Sequence, residues 1–326
     1  MRLALDDLQR EAAVTGFSGD MLEKASRLLA LLDAIRSHPY LGSRLALKGG
    51  TALNLFVLDL PRLSVDIDLN YTGALRREVM IAERPKIDQA IHAVCAREEL
   101  GVRRVPDEHA GGKWRLTYTS AAGGSGNLEL DMNFLLRTPL WPAKPLDSRP
   151  LGSFRASRVP VLDIHELAGG KLAALLSRRT SRDLFDACQL LRRSDLDVTK
   201  LRLAFVVYGA ANRRDWRSVA VEDVQGEAAE LQRRLLPTLR GPVLPARGAA
   251  TQLWLEELVT ECRDRLSAVL PLTGEEREFI ARLNDHGEID PELLGADKAM
   301  QELIRAHPAL QWKALNVRKH RGATSG

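Results

Sequence analysis

Residues 64–71 alternate between apolar and polar side chains, a pattern typical of a β-strand with one buried face. Ile67 and Leu69 fall on one face of that strand, and Asp66 and Asp68 fall on the other. Successive side chains of a strand point to opposite faces, so the two aspartates project side by side. The pattern therefore predicts a half-buried strand that presents two carboxylates on one side of a sheet.

A glycine pair precedes this strand. Residues 45–48 are predicted to form a short strand, Gly49 and Gly50 a turn, and residues 51–58 a helix. Because glycine has no side chain, the backbone N–H groups at the start of the helix and the Thr51 hydroxyl could approach phosphate oxygens closely. The plainer alternative is an ordinary glycine turn in which Thr51 caps the helix.

A third carboxylate is predicted on a later strand. Residues 127–136 alternate again, with Glu129 and Asp131 on the polar face. Nucleotidyl transfer needs the triphosphate charge neutralised, which two metal ions about 3.5–4 Å apart can do when carboxylates hold them. Asp66 and Asp68, with Asp131 assisting, could hold Mg²⁺ or Mn²⁺ in this way. A pair of aspartates on a strand is not specific by itself, because edge strands often carry a polar face.

The chain divides into a part with strands and helices and a helical part. The intervening residues 139–160 are rich in proline, glycine and serine, which is typical of a connection between domains. We therefore predict an α+β protein with a sheet-containing core and N-terminal helices at 1–150, followed by a helical domain at 151–326.

A lysine lies within the apolar stripe of the first helix of the second part. Residues 164–177 place leucine, isoleucine and alanine on one face, and Lys171 falls inside that face between Leu167 and Leu175. A buried lysine needs an anionic partner. The alternative is that the amino group extends to solvent from the edge of the stripe.

The next helix carries two aspartates beside its apolar stripe. Ser181 is expected to cap this helix, and Asp183 and Asp186 lie together on it. The helix dipole is enough to explain Asp183 in the first turn, whereas it does not explain Asp186. Arg178 and Arg182 could reach a triphosphate or an RNA.

The composition excludes several other kinds of site. Cys95, Cys188 and Cys262 lie far apart, so neither a zinc site nor a disulfide framework is indicated. No run approaches the roughly 18 apolar residues of a membrane span. The 47 basic and 43 acidic residues give a net charge of only +4, which does not by itself indicate a nucleic-acid partner. We expect a cytoplasmic protein that does not bind membranes.

The motifs, in this order, resemble those of the nucleotidyltransferase AbiEii/AbiGii toxin family. The similar segments are the Gly-Gly-Thr segment at 47–53, the Ser-x-Asp-Ile-Asp segment at 62–69, the helix that bears Lys171, and the Arg-Asp-x-x-Asp segment at 182–186. The likeness extends from the first predicted helix to about Arg193. It implies a polymerase β-like nucleotidyltransferase core, a mixed sheet flanked by helices, in the first part of the chain.

The resemblance also implies roles for individual residues. Asp66 and Asp68 would bind metal ions, Lys171 would contact the nucleotide phosphates, and Asp186 would be a catalytic or nucleotide-positioning carboxylate. The residues expected to contact the nucleotide are Lys48, Gly49, Gly50, Thr51, Arg62, Ser64, Lys171, Arg178 and Arg182. We expect the residues of the two parts to meet across one cleft that holds the cations and the NTP.

The function that the resemblance implies is that of a toxin from a bacterial toxin–antitoxin system. Such an enzyme transfers a nucleotide from an NTP to an RNA acceptor, the tRNA 3′ end in some members, and a cognate antitoxin protein neutralises it. Transfer to tRNA would block translation and growth. The residues alone leave three alternatives open: nucleotidylation of a protein or small molecule, phosphorylation of such an acceptor, and a non-catalytic binding module.

Overall fold

The structure is a computed structural model of the 326-residue chain, and it describes residues 4–105, 111–246 and 248–324. These residues form two compact units. The first contains the described residues of Met1–Arg137, Pro142–Asp163 and Arg233–Pro245. The second contains those of Thr138–Trp141, Ile164–Gln232 and Ala246–Gly326.

The described part of the first unit is built on a seven-stranded mixed sheet. Its strands are β1 (Leu45–Lys48), β2 (Asp66–Tyr71), β3 (Gly101–Val105), β4 (Gly111–Thr119), β5 (Ser125–Asn133), β6 (Lys144–Leu146) and β7 (Val159–Val161). Their order across the sheet is β3-β4-β5-β2-β1-β7-β6. The pairs β2–β5 and β1–β7 are parallel, and the other neighbours are antiparallel. The strand with the two aspartates is therefore an interior strand between β1 and β5.

Helices of the first unit are α1 (Leu5–Thr15), α2 (Gly19–Ser37), α3 (Gly49–Ala52), which continues as a π-helical turn over Leu53–Val57, and α4 (Arg77–Arg97). Helices α2 and α4 cover the apolar face of the sheet. Leu32 of α2 lies beside Leu69 of β2, and the Trp114 indole of β4 donates a 3.0 Å hydrogen bond to Asp88 of α4. Ile67 and Leu69 are buried, which confirms the predicted alternation along β2. Its opposite, polar face carries the aspartates.

The proline-rich segment at 139–160 is more than a connection. It contributes β6 and β7 to the edge of the sheet, where β7 pairs with β1 at Val161 and Leu47. These strands are only three residues long and contain Pro145 and Pro160. Such short strands give no periodic signal, which is why the sequence predicted a loop here.

The second unit is helical, as predicted for the region after the core. Its helices are α5 (Ile164–Arg178), α6 (Ser181–Leu191), α7 (Val198–Ala210), α8 (Ala228–Glu230), α9 (Ala249–Arg265), α10 (Gly274–Ala281), α11 (Lys298–Arg305) and α12 (Pro308–Thr324). Helix α5 packs against both α6 and α7. Among the described residues, no helix has the length and apolar character needed to cross a membrane.

Candidate active site

The polar face of β2 is part of a larger group of carboxylates. Asp66 is in register with Glu129 of the parallel neighbour β5, and Asp68 is in register with Asp131. Registered residues of neighbouring strands point to the same face of a sheet. Asp131, which the sequence placed only on some polar strand face, therefore lies at the same level as Asp68.

A lysine on β4, which no motif in the sequence indicated, neutralises part of this group. The Lys113 amino group lies 2.7 Å from Glu129 Oε2 and 3.6 Å from Asp131 Oδ2. The bond to Lys113 holds the pKa of Glu129 below its usual value. Burial raises the pKa of Asp131 despite the attraction of Lys113, and the charges of Glu129 and Asp66 add to the increase. Asp131 thus lies among carboxylates that repel one another, and a bound cation would relieve that repulsion.

The residues on this face have the chemistry of a divalent-cation site. Carboxylate oxygens are the ligands that Mg²⁺ prefers, and Asn70 adds an amide two residues beyond Asp68. The Asn70 side chain is fully buried, and within the described chain its oxygen and nitrogen have no hydrogen-bond partner. Orphaned polar atoms beside carboxylates favour a site that a polar ligand completes. Across the described ranges, however, no three Asp, Glu, His or Cys side chains converge closely enough to enclose an ion as they stand.

The glycine turn lies directly against these carboxylates. A Cβ atom at position 49 would lie 2.2 Å from Asp68 Oδ2, and Gly49 has a φ of +74°, a conformation that favours glycine. A Cβ atom at position 50 would lie 2.8 Å from Ser64 Oγ and 2.9 Å from a terminal nitrogen of Arg62. The Gly49–Gly50 turn therefore lies beside Arg62, Ser64 and Asp68, which are predicted to bind the nucleotide or a metal ion. The two glycines contribute only backbone atoms there.

The residues on either side of the turn anchor it to β2. Lys48 of β1 is in register with Asp68, and the Thr51 hydroxyl donates a 2.6 Å hydrogen bond to the backbone carbonyl of Asp66. That hydroxyl was expected to face phosphate, whereas in the structure its hydrogen bond fixes the position of Asp66. Helix α3 also begins at Gly49 rather than at Thr51. Backbone N–H groups in the first turn of a helix have no intrahelical partner and are available to donate to phosphate. Phosphate binding by these groups stays a prediction.

In the second unit, Lys171 of α5 is buried and bound by two aspartates of α6. Its Nζ lies 2.9 Å from Asp183 Oδ1 and 3.0 Å from Asp186 Oδ2. The side chain of Lys171 is 9% exposed and that of Asp186 is 0% exposed. Of the two alternatives for this lysine, the structure has the buried one, with the anionic partners that burial requires.

Asp183 has further partners. A terminal nitrogen of Arg178 lies 3.1 Å from Asp183 Oδ2, and the Thr180 hydroxyl donates to the same oxygen over 2.9 Å. Burial acts to raise the pKa of Asp183, but Lys171, Arg178 and Thr180 outweigh burial and hold this pKa below its usual value. The side chain of Thr180 also accepts a bond from the Asp183 N–H, so Thr180 caps α6 in place of the predicted Ser181.

The predicted site residues thus form two groups, one within each unit. In the second unit, Asp183 and Asp186 hold the Lys171 ammonium in place, and Arg182 is partly buried on α6. Contact of Lys171, Asp186, Arg178 or Arg182 with a nucleotide stays a prediction.

Known proteins resemble the chain in sequence and in fold. A family model described as the nucleotidyl transferase AbiEii toxin of a type IV toxin–antitoxin system matches residues 30–319. Among solved structures, MenT4, a nucleotidyltransferase toxin from Mycobacterium tuberculosis, aligns with a TM-score of 0.59 and 19% identity over 93% of this chain and 100% of that one. JHP933 from Helicobacter pylori aligns with a TM-score of 0.46 and 16% identity over 78% of this chain and 93% of that one. No curated protein matches the sequence. The alignment with MenT4 shows a shared fold.

Proposed function

This chain belongs to the nucleotidyltransferase AbiEii toxin family of type IV toxin–antitoxin systems, and from that premise we propose that it transfers a nucleotide from an NTP to the 3′ end of tRNA. The reaction depends on Mg²⁺ or Mn²⁺. Modified tRNA no longer supports translation, so growth stops. A cognate antitoxin protein counteracts the toxin.

One observation carries this proposal. Asp68 lies between Asp131, its registered partner on β5, and the backbone of Gly49, where a Cβ atom would be 2.2 Å from the carboxylate. Carboxylates that suit a cation and a turn that suits phosphate therefore share one corner of the sheet. Transfer of a nucleotidyl group needs both, because the triphosphate must be held and its charge neutralised.

The residues of the first unit would bind and orient the reactants. Asp66 and Asp68, with Asp131, would hold the divalent cation, which when bound neutralises phosphate charge and favours ionisation of the attacking hydroxyl. The N–H groups of the glycine turn would donate to phosphate oxygens. The acceptor hydroxyl attacks the α-phosphorus in line, a new P–O ester bond forms, and the bond to the leaving pyrophosphate breaks.

Lys171 would contribute positive charge to the phosphates, as the family resemblance implies. Asp183 and Asp186 position its ammonium group at 2.9 and 3.0 Å, and Arg178 offsets part of their negative charge. These contacts fix where the charge of Lys171 lies.

The test is incubation of the purified chain with total tRNA, Mg²⁺ and each α-labelled NTP in turn, followed by separation of RNA from protein. Labelled tRNA that loses its label to a 3′ exonuclease, and that is not formed in EDTA, supports the proposal. Label from an α-labelled NTP in protein or in a small molecule would assign a different acceptor. Label from a γ-labelled NTP in protein would indicate a kinase. Growth inhibition that persists in Asp66→Ala and Lys171→Ala variants would indicate a binding module.

A further inference from the structure

A cavity of about 330 Å³ opens beside Asp66 within the first unit. Its wall includes Lys24, Asp66, Arg115, Asn127, Leu128 and Glu129. The volume falls at the lower end of the range of small-ligand sites, roughly 300–1,000 Å³, and suits a single nucleotide unit. None of the residues of the glycine turn lines it.

The cavity exists because two neighbouring strands differ in where they begin. β2 begins at Asp66, opposite Glu129, whereas β5 begins earlier, at Ser125. The first residues of β5 therefore have no β2 partner beside them. From α2, the Lys24 amino group reaches across to Asn127 Oδ1 at 3.5 Å and closes one side of the gap.

The order of the strands separates this cavity from the glycine turn. β1 and β5 lie on opposite sides of β2. The glycine turn, which follows β1, therefore lies on one side of β2. The cavity walls formed by β5 and β4 lie on the other side. Asp66 lies between them. If the triphosphate occupies the turn, as the proposed function requires, the cavity is where the second reactant would approach the α-phosphorus.

The wall carries two cations, Lys24 and Arg115, and two carboxylates, of which Asp66 would face the metal ion and Glu129 is bound by Lys113. Within the described chain, the contact found for the Lys24 amino group is the neutral amide of Asn127. Arg115 is 3.5 Å from Glu129 Oε1, but Lys113 already binds that carboxylate at 2.7 Å. Cations without a full complement of carboxylates are suited to phosphodiester oxygens.

The remaining wall is suited to the other parts of a nucleotide. Val65 and Leu128 supply apolar surface, against which a base or ribose can pack. We propose that this cavity binds the terminal nucleotide of the RNA acceptor, with Lys24 and Arg115 contacting the phosphodiester groups on the 5′ side of that nucleotide. This inference rests on the proposed function and adds to it the place where the acceptor binds.

The test compares two double variants that each remove two positive charges. Lys24→Ala/Arg115→Ala changes the cavity, and Lys86→Ala/Arg97→Ala removes two exposed cations of α4 that do not line it. The Kd of fluorescently labelled total tRNA is measured without NTP over a series of salt concentrations. For the cavity variant we expect the Kd to rise by about tenfold. The slope of log K against log salt should fall in magnitude by about 1.4, because two phosphate contacts are lost and each contributes roughly 0.7. The α4 variant should bind like the wild type.

A third variant separates loss of charge from loss of fold. Lys24→Arg/Arg115→Lys keeps both charges, so its tRNA Kd should stay within about twofold of the wild type. Equal tRNA binding by the cavity and α4 variants would overturn the inference. So would a raised KM for the NTP at an unchanged tRNA Kd, because that result would assign the cavity to the nucleotide donor. The proposed function fails in a different way, if the wild-type chain binds tRNA but transfers no label to it.

Discussion

Gly49 and Asp68 are so close that the backbone of the first occupies the space in which any side chain would meet the carboxylate of the second. A Cβ atom at position 49 would lie 2.2 Å from Asp68 Oδ2. The φ of Gly49, +74°, is also one that residues with a side chain rarely adopt. The contact fixes the turn after β1 and the carboxylate on β2 relative to each other.

Replacement of Gly49 by alanine should therefore damage both the fold and the reaction. We expect Gly49→Ala to lower the free energy of unfolding by about 1–3 kcal/mol, through backbone strain, and to slow nucleotide transfer because Asp68 must move. Urea unfolding and the initial rate of label transfer measure the two effects. Gly19→Ala is the matched control, because Gly19 begins α2 and a Cβ atom there would meet nothing within 4 Å. If both variants transferred label at the same rate, the contact would not matter for the reaction.

Loss of the Lys171 ammonium should destabilise the second unit. Lys171→Met leaves the buried carboxylates of Asp183 and Asp186 without their shared cation, which costs about 3–5 kcal/mol when one partner of a buried pair is removed. Arg178→Met removes a partner of Asp183 whose own side chain is 63% exposed, so its cost should be below about 1 kcal/mol. Urea denaturation of both variants at neutral pH tests this difference. A Lys171→Met variant with wild-type stability would contradict the buried ion pairs.

Lys313 should make the stability of the second unit depend on alkaline pH. Its amino group donates to the backbone carbonyls of Ala210 and Asn212 at 2.7 and 2.8 Å, and burial lowers the pKa of Lys313 to about 8 from the ordinary 10.5. Between these two pH values the unfolded chain binds a proton that the folded chain does not, so stability increases with pH. The free energy of unfolding of the wild type, minus that of Lys313→Met, should therefore rise from about pH 8 to pH 10.5 and stay constant below that window. Urea unfolding of both proteins across this range provides the measurement, and a difference that does not change with pH would contradict the assignment.

The features that depend on neighbouring residues could be predicted from the sequence. The alternation around Asp66 and Asp68 predicted their shared face, because a strand repeats every two residues. Helical spacing likewise placed Asp183 and Asp186 together, and the apolar stripe around Lys171 left two alternatives, a buried lysine with an anionic partner or one that extends to solvent. The order of these motifs was specific enough to indicate the family that the comparison then showed.

The features that depend on pairing between distant segments could not be predicted in this way. Asp131 lies beside Asp68 because the two residues are paired in the β2–β5 register, which no local pattern encodes. The β4–β5 pairing places Lys113 opposite Asp131 and within 2.7 Å of Glu129, and the only sign of this in the sequence was the alternation of Lys113 and Arg115 with apolar residues. The Thr51 hydroxyl was expected to face phosphate, because no local pattern indicates its actual acceptor, the backbone carbonyl of Asp66 on β2.

Nucleotide transfer by this chain should depend on the two carboxylates of β2, Asp66 and Asp68. The most direct measurement is the initial rate of α-label transfer from NTP to tRNA by Asp66→Asn, Asp68→Asn and a control, Asp59→Asn, at saturating Mg²⁺. The Asp59 side chain is 97% exposed and pairs with Arg149 at 3.3 Å, so its replacement should leave the rate unchanged. Loss of either β2 carboxylate should reduce the rate by roughly 10²–10³-fold, as removal of a transition-state electrostatic contact does, while the unfolding curves stay close to that of the wild type. Transfer at the wild-type rate by either β2 variant would contradict the account.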